Sequence, residues 1–234
     1  MILIISEISI TIIKKKIKNI YLYVKPPNGF VTVSAPVNMN DEAIEKFLRT
    51  KVSWIRDQQK KFDNQPRQSK REYVSGETLY ILGRQYYLQV DYGTKNSFKL
   101  NGDKVFLTVR DESDIQIRES FIRECYRVIL KKEICQLLPK WEGKTGIQAS
   151  SWQIKYMTTR WGTCNPKTKK IWINLQLAKK TPECLEYIIL HELLHIVEKY
   201  HNERFISLMD KYMPMWREIK KTLNDQFLEY MNTK

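Results

Sequence analysis

Every histidine of this 234-residue chain lies in one stretch of eleven residues, HELLHIVEKYH, from His191 to His201. His191 and His195 are four apart. A helical turn takes about 3.6 residues, so on a helix their imidazoles leave the same face and can share one ion. Glu192 follows His191 directly and is rotated to the side, where a carboxylate can hold a water on that ion without becoming a ligand. This is the HExxH pattern, two metal ligands and a general base, and its chemistry is metal-assisted hydrolysis. With so few histidines, a chance match has a probability of roughly a few in a thousand. A core histidine satisfied by its neighbours accounts for one imidazole, not for three together.

A catalytic zinc takes three protein ligands and keeps a fourth position for water. His201 is the obvious third ligand, yet on an unbroken helix it would stand about 120° away from His195. The helix must therefore end near Tyr200. No Gly or Pro in IVEKY forces that ending, but Asn202 is a strong N-cap and ERFISLMDKYM after it reads as a new helix. A break at 199 to 201 lets His201 swing back under the metal. Glu198, one turn beyond His195, is the alternative ligand, although a single straight helix rarely wraps an ion with three of its own side chains.

The elements around this motif can be read from period and punctuation. Thr181 is a good N-cap and Pro182 suits the first helical position, so a helix starts there and runs through the histidines. Leu185, Ile188, Ile189, Leu190, Leu193, Leu194, Ile196 and Val197 make it apolar nearly all round, which predicts burial. Before it come two short strands, SWQIKYM and KKIWINLQL, separated by the loop TTRWGTCNPKT. Upstream, Ser113 or Asp114 can cap a helix carrying Ile117, Phe121, Ile122, Cys125 and Ile129 that stops at Pro139. Two more helices, about 203 to 213 and 215 to 231, are split at Pro214. Residues 1 to 110 read as mostly β, with hairpin signals at Asn28-Gly29 and Asn101-Gly102 and punctuation at Gly76 and Gly83. One helix interrupts them, with Ile44, Phe47, Leu48, Val52, Ile55 and Phe62 at helical spacing. The polar run DNQPRQSKR, 63 to 71, follows as a loop. No internal repeat or low-complexity segment is visible. The expected fold class is α+β: a β-rich accessory region over 1–110, then a catalytic domain over 111–234 that combines helices with a small sheet.

Composition narrows the setting. Hydrophobic residues make up 42% and charged residues 28%, as in an ordinary soluble domain. Four cysteines without a CxxC pair argue against a disulfide scaffold or a zinc ribbon, and point to reduced thiols in the cytoplasm. The opening MILIISEISITIIKKK lacks a preceding positive region and a cleavage site, so it reads as strand rather than signal peptide. No run is long enough for a membrane span. The net charge of +14 could attract nucleic acid, but the lysines are scattered, as on a solvated surface.

Beyond the motif itself, TRWGTCNPKTKKIWINLQL before it and HNERF and MPMWREIKKTLN after it resemble the YgjP-like metallopeptidase family. More distantly they resemble the SprT-like and WLM zinc proteases. The resemblance is strongest over 150–220, and SGETLYILGRQYYLQV extends it toward the N-terminus. RWGTC, the N-x-x-L of Asn174 to Leu177 and the H-x-x-x-F of His201 to Phe205 make it specific. It implies a zincin-like fold, with the HExxH helix beneath a helix and a small sheet. It also implies zinc on His191, His195 and His201, Glu192 as general base, and a protein or peptide substrate. Thr163 stands where the family usually has serine. Metzincins share the spacing from His195 to His201, but they place a glycine where this chain has Glu198.

In the expected mechanism, Glu192 takes a proton from the zinc-activated water and passes it to the leaving nitrogen. Arg160 and Tyr212 are candidates for a second oxyanion or substrate contact, each also explicable as structural. Cys164 could be a fourth ligand or a small packed residue, and Trp161 reads as core. KKIWINLQL could be an edge strand for an extended substrate or a plain core strand. The alternative function is a nucleic-acid-associated, SprT-like protease whose basic surface binds DNA.

Overall fold

The computed structural model describes residues 1–25, 29–63, 71–110 and 114–225. The chain forms two compact units, Met1–Ser69 and Lys70–Glu229. The division expected near residue 110 falls inside the second unit, between its sheet and its first helix.

In the first unit the isoleucine-rich start forms a hairpin rather than one strand. β1 (Ile2–Ile5) pairs antiparallel with β2 (Ile8–Lys15). Ser6 and Glu7 between them both have positive φ, the geometry of a tight two-residue hairpin turn. β3 (Tyr21–Lys25) and β4 (Phe30–Pro36) form a second hairpin. Of its predicted turn, Asn28 lies outside the described residues and Gly29 has φ 67°. β4 lies parallel to β2, which gives the order β1-β2-β4-β3. The single helix expected next is two, α1 (Asp41–Arg49) and α2 (Val52–Asp63). Asn40 caps the first by accepting from the Ala43 amide, and Thr50 ends it. Ile44, Leu48 and Ile55 pack against Ile10, Ile12, Val31 and Val33 to make this unit's core. The predicted loop over 63–71 lies largely outside the described residues.

The second unit begins with the same wiring. β5 (Thr78–Ile81), β6 (Arg84–Tyr92), β7 (Ser97–Asn101) and β8 (Lys104–Val109) take the order β5-β6-β8-β7. Their pairing senses match those of the first sheet: antiparallel, parallel, antiparallel. The chain thus repeats a topology that no sequence periodicity announces. α3 (Ile115–Thr145) follows, capped by the Asp114 carboxylate; Ser113 lies outside the described residues. The helix does not stop at Pro139, as expected, but runs on to Gly146. Proline removes one main-chain hydrogen bond. Pro139 is exposed, so water can satisfy the freed carbonyl, while Leu138 and Trp141 stay buried. The inward stripe is Ile122, Tyr126, Leu130, Ile134 and Leu138, a strict four-residue repeat.

Beyond α3 lies a three-stranded sheet of β9 (Ser151–Lys155), β10 (Gly162–Asn165) and β11 (Lys170–Asn174), ordered β10-β11-β9. One expectation changes here, and one choice between alternatives is decided. The stretch GTCN, read as loop, is a strand paired antiparallel with β11. KKIWINLQL is not an edge: β11 is central, and its last residues turn into a 3₁₀ helix over Leu175–Lys179. α4 (Pro182–Leu194), α5 (Glu203–Tyr212) and α6 (Trp216–Asp225) complete the unit. Side chains of β5, β6, β8, α3, β11 and α4 to α6 share one core. Among the described residues no helix is long and apolar enough to cross a membrane.

Candidate metal centre

α4 is buried on almost every side, as its composition requires: Leu185, Ile189, Leu190, Leu193 and Leu194 are at most 1% exposed. Thr181 occupies its N-cap position by backbone geometry, although its side chain does not cap. The helix ends earlier than the sequence suggests, with His195 itself as the C-cap residue. The amides of Ile196 and Val197 reach back only three residues, to the carbonyls of Leu193 and Leu194. The His195 Nδ1 lies 2.9 Å from the carbonyl oxygen of Glu198. A carbonyl can only accept, so Nδ1 is the donor, and in the neutral imidazole Nε2 is the nitrogen left with a lone pair. The imidazole thus holds the chain reversal that neither glycine nor proline supplies.

Downstream, the Asn202 side chain accepts from the Phe205 amide and opens α5. The eight residues between the helices bring His201 round to its partners. The Nε2 atoms of His191, His195 and His201 stand 3.2, 3.1 and 3.0 Å apart. Three imidazole nitrogens converging this closely suit a shared cation: zinc–nitrogen bonds of about 2.0–2.1 Å in tetrahedral geometry set such nitrogens about 3.4 Å apart. The triad could therefore hold one metal ion. Glu198 does not join it. Its carboxylate lies toward Arg204, and it serves the site through its main-chain oxygen.

The Phe205 ring, 2% exposed, forms the floor. Its centroid lies 4.8 to 5.0 Å from those of all three imidazoles. Tyr187 contacts His191 from the side and stacks parallel to Trp216 of α6. Lys220, one turn on, lies over Trp216. Burial, followed by the neighbouring histidines and Lys220, lowers the His191 pKa to about 3. Burial, followed by His195 and Lys220, lowers His201. Both shifts favour the neutral imidazole, which is the form that binds metal.

Glu192 is 5% exposed. Burial pushes its carboxyl up to about 8, and the Arg160 guanidinium opposes that rise. Space for it comes from Gly162 on β10. A Cβ there would lie 2.7 Å from the Glu192 Oε1 and 2.8 Å from its Cγ. Glycine in the RWGTC segment is thus a requirement of close approach. Cys164, two residues along, is half-buried, and burial followed by the Glu192 charge raises its thiol to about 12. It stays a protonated thiol outside the triad. Trp161 packs at the margin of the core.

The loop bearing Arg160 is fastened from below. Asn174, fully buried at the end of β11, donates through Nδ2 to the carbonyls of Met157 and Arg160, at 2.8 and 2.6 Å. Its Oδ1 accepts from the Met157 and Gln176 amides. Gln176 adds a bond to the Met157 carbonyl. Tyr212, by contrast, sits half-buried in the last turn of α5 and packs against the core. The roles of Phe205, Asn174 and Gly162 were carried in the motifs H-x-x-x-F, N-x-x-L and RWGTC without being legible there. Trp216 and Lys220 lay within the segment MPMWREIKKTLN without a role being legible, and Tyr187 gave no signal in sequence.

A family model described as YgjP-like, metallopeptidase domain, matches residues 18–226. No curated protein matches. Among solved structures, the metallopeptidase zymogen of Pyrococcus abyssi abylysin is 22% identical, with a TM-score of 0.37, covering 39% of this chain and 92% of its own. The zymogen of Methanocaldococcus jannaschii jannalysin is 25% identical, with a TM-score of 0.38, covering 41% and 91%.

Proposed function

The chain belongs to the YgjP-like metallopeptidase family, and from that premise we propose a zinc-dependent peptidase in which His191, His195 and His201 hold the ion. Glu192 is its general base. The observation that carries this reading is the convergence of three Nε2 atoms within 3.2 Å beside a buried carboxyl.

Zinc bound to three neutral imidazoles supplies Lewis acidity to a scissile carbonyl and lowers the pKa of water toward neutrality. Glu192 takes the proton of the attacking water and delivers it to the leaving amide nitrogen. Its burial suits that task, because a desolvated carboxylate binds a proton more strongly than an exposed one. Arg160 acts on the same carboxyl electrostatically and is the better placed of the two expected substrate contacts. β10 is an edge strand of its sheet among the described residues, so its free side offers main-chain hydrogen bonds to an extended polypeptide. Unpaired Cys125, Cys135, Cys164 and Cys184 support a reducing, cytoplasmic setting.

Elemental analysis with a casein-cleavage assay tests the assignment. Glu192→Gln should keep one zinc per chain while hydrolysis falls roughly 10²- to 10⁴-fold. Near-native cleavage by that variant would remove Glu192 from the mechanism. His191→Ala should lose zinc on dialysis, and unchanged stoichiometry would refute the ligand set.

A further inference from the structure

Within the first unit, and among its described residues, the sheet has one face covered by α1 and α2 and one face open. On the open face stand Tyr21, Tyr23 and Phe30, which are 46%, 47% and 64% exposed, together with the exposed Ile2, Ile4 and Ile13 of β1 and β2. Side chains alternate along each strand, so Tyr21 and Tyr23 share this face about 7 Å apart. Tyr23 is opposite Thr32, which places Phe30 diagonally across from it, at about 7–8 Å. The three rings therefore form one row. Beside it run the hydroxyls of Ser9, Thr11 and Thr32, on the same face by register.

Charge on this unit is segregated. Of the six carboxylates in residues 1–69, Asp41, Glu42, Glu45, Asp57 and Asp63 belong to the two helices behind the sheet, and Glu7 to the β1–β2 turn. No acidic residue stands on the open face. Lys15 stands on it by alternation, and Lys16 and Lys18 follow, exposed, in the connection to β3. Lys14, on the covered side, is paired with Asp41.

We propose that this open face binds single-stranded nucleic acid, with bases stacked on Tyr21, Tyr23 and Phe30 and phosphates met by Lys15, Lys16 and Lys18. Aromatic rings beside cations without carboxylates are what an unpaired polynucleotide requires: every base offers a π-face and every nucleotide a negative charge. The proposal is independent of the peptidase reading, since none of these residues belongs to the metal centre.

Fluorescence anisotropy of the full chain with labelled (dT)20 and U20 tests it, with a 20-base-pair duplex and fluorescent casein as controls. At low salt the native protein should bind at least one single strand more tightly than the duplex, with affinity falling as salt rises. Tyr23→Ala/Phe30→Ala should weaken that binding at least tenfold and leave casein cleavage unchanged. Tyr23→Leu/Phe30→Leu keeps apolar surface without rings and should weaken it as well. The single strand that binds identifies DNA or RNA as the natural source. The proposal is overturned by absence of single-strand binding, by equal binding of the duplex, or by leucine variants that bind like the native protein. Loss of casein binding in the alanine variant would instead mark the face as a polypeptide dock and overturn it too.

Discussion

Glu192 sits where its charge is costly, and that cost can be read in the metal-free protein. Its folded pKa of about 8 lies above the ordinary 4.5, so the unfolded chain releases this proton first as pH rises. The penalty is absent below 4.5, grows with pH and is complete near 8. His191 works in the opposite direction: with a folded pKa of about 3 against 6.5, it costs stability as pH falls through that window. Between pH 7 and 8 the histidines are largely neutral in the unfolded chain as well, and the carboxyl dominates. There the metal-free native chain should lose stability with rising pH, by at most about 1.4 kcal/mol per unit. Glu192→Gln should lack that slope. Denaturant titrations of both proteins in chelator, across those pH values, measure it; parallel curves would show that the carboxyl is solvated. The sequence placed Glu192 beside the histidines, but its desolvation comes from Gly162 and the neighbouring strand.

Between elements, the decisive contact is made by an amide. Asn174 ties β11 to the loop carrying Arg160 through two donated hydrogen bonds and one accepted one, and its Oδ1 also accepts from the Gln176 amide in the 3₁₀ helix that follows β11. Asn174→Ala strands buried main-chain groups, which should cost about 2–4 kcal/mol. Zinc content should persist, because no ligand moves, while cleavage falls as Arg160 loses its position. A melting curve, a metal assay and a kinetic assay on one sample separate these effects; full activity would show that the loop holds itself. Gly162→Ala probes the other wall of the pocket. Its Cβ has no room beside Glu192, so a cost of about 1–3 kcal/mol should come with impaired hydrolysis. A fully active, equally stable variant would mean that the strand yields. The helix break after His195 belongs to this scale too. Asn202 was legible as the next cap, but the stop itself depends on a side-chain bond to Glu198 that no propensity encodes.

For the molecule as a whole, the shared core of the second unit sets where the chain can be cut. Leu79, Ile81, Leu88, Val105, Leu107 and Val109 of its sheet lie in one core with the inward stripe of α3 and with α4. A chain beginning at Lys70 should fold and bind zinc. One beginning at residue 111 loses those six side chains and should aggregate or bind metal weakly. Circular dichroism and zinc titration of the two fragments check this, and equal behaviour would show that the helices need no sheet. The sheet topology repeated in the two units was invisible in sequence. Strand order depends on pairing between distant segments, and many side-chain choices satisfy one alternating pattern.

The sequence by itself determined the chemistry, because spacing along a helix is local: His191 and His195 share a face wherever that helix lies, and Asn202 starts the next helix from its own side chain. It also set the α+β character and the buried nature of α4. Tertiary structure decided what depends on proximity between distant residues: the return of His201, the Phe205 floor, the glycine gap for Glu192, the Asn174 fastening and the central place of β11. Those contacts are fixed by the packing of whole elements into a dense interior, where one atom's position depends on all its neighbours.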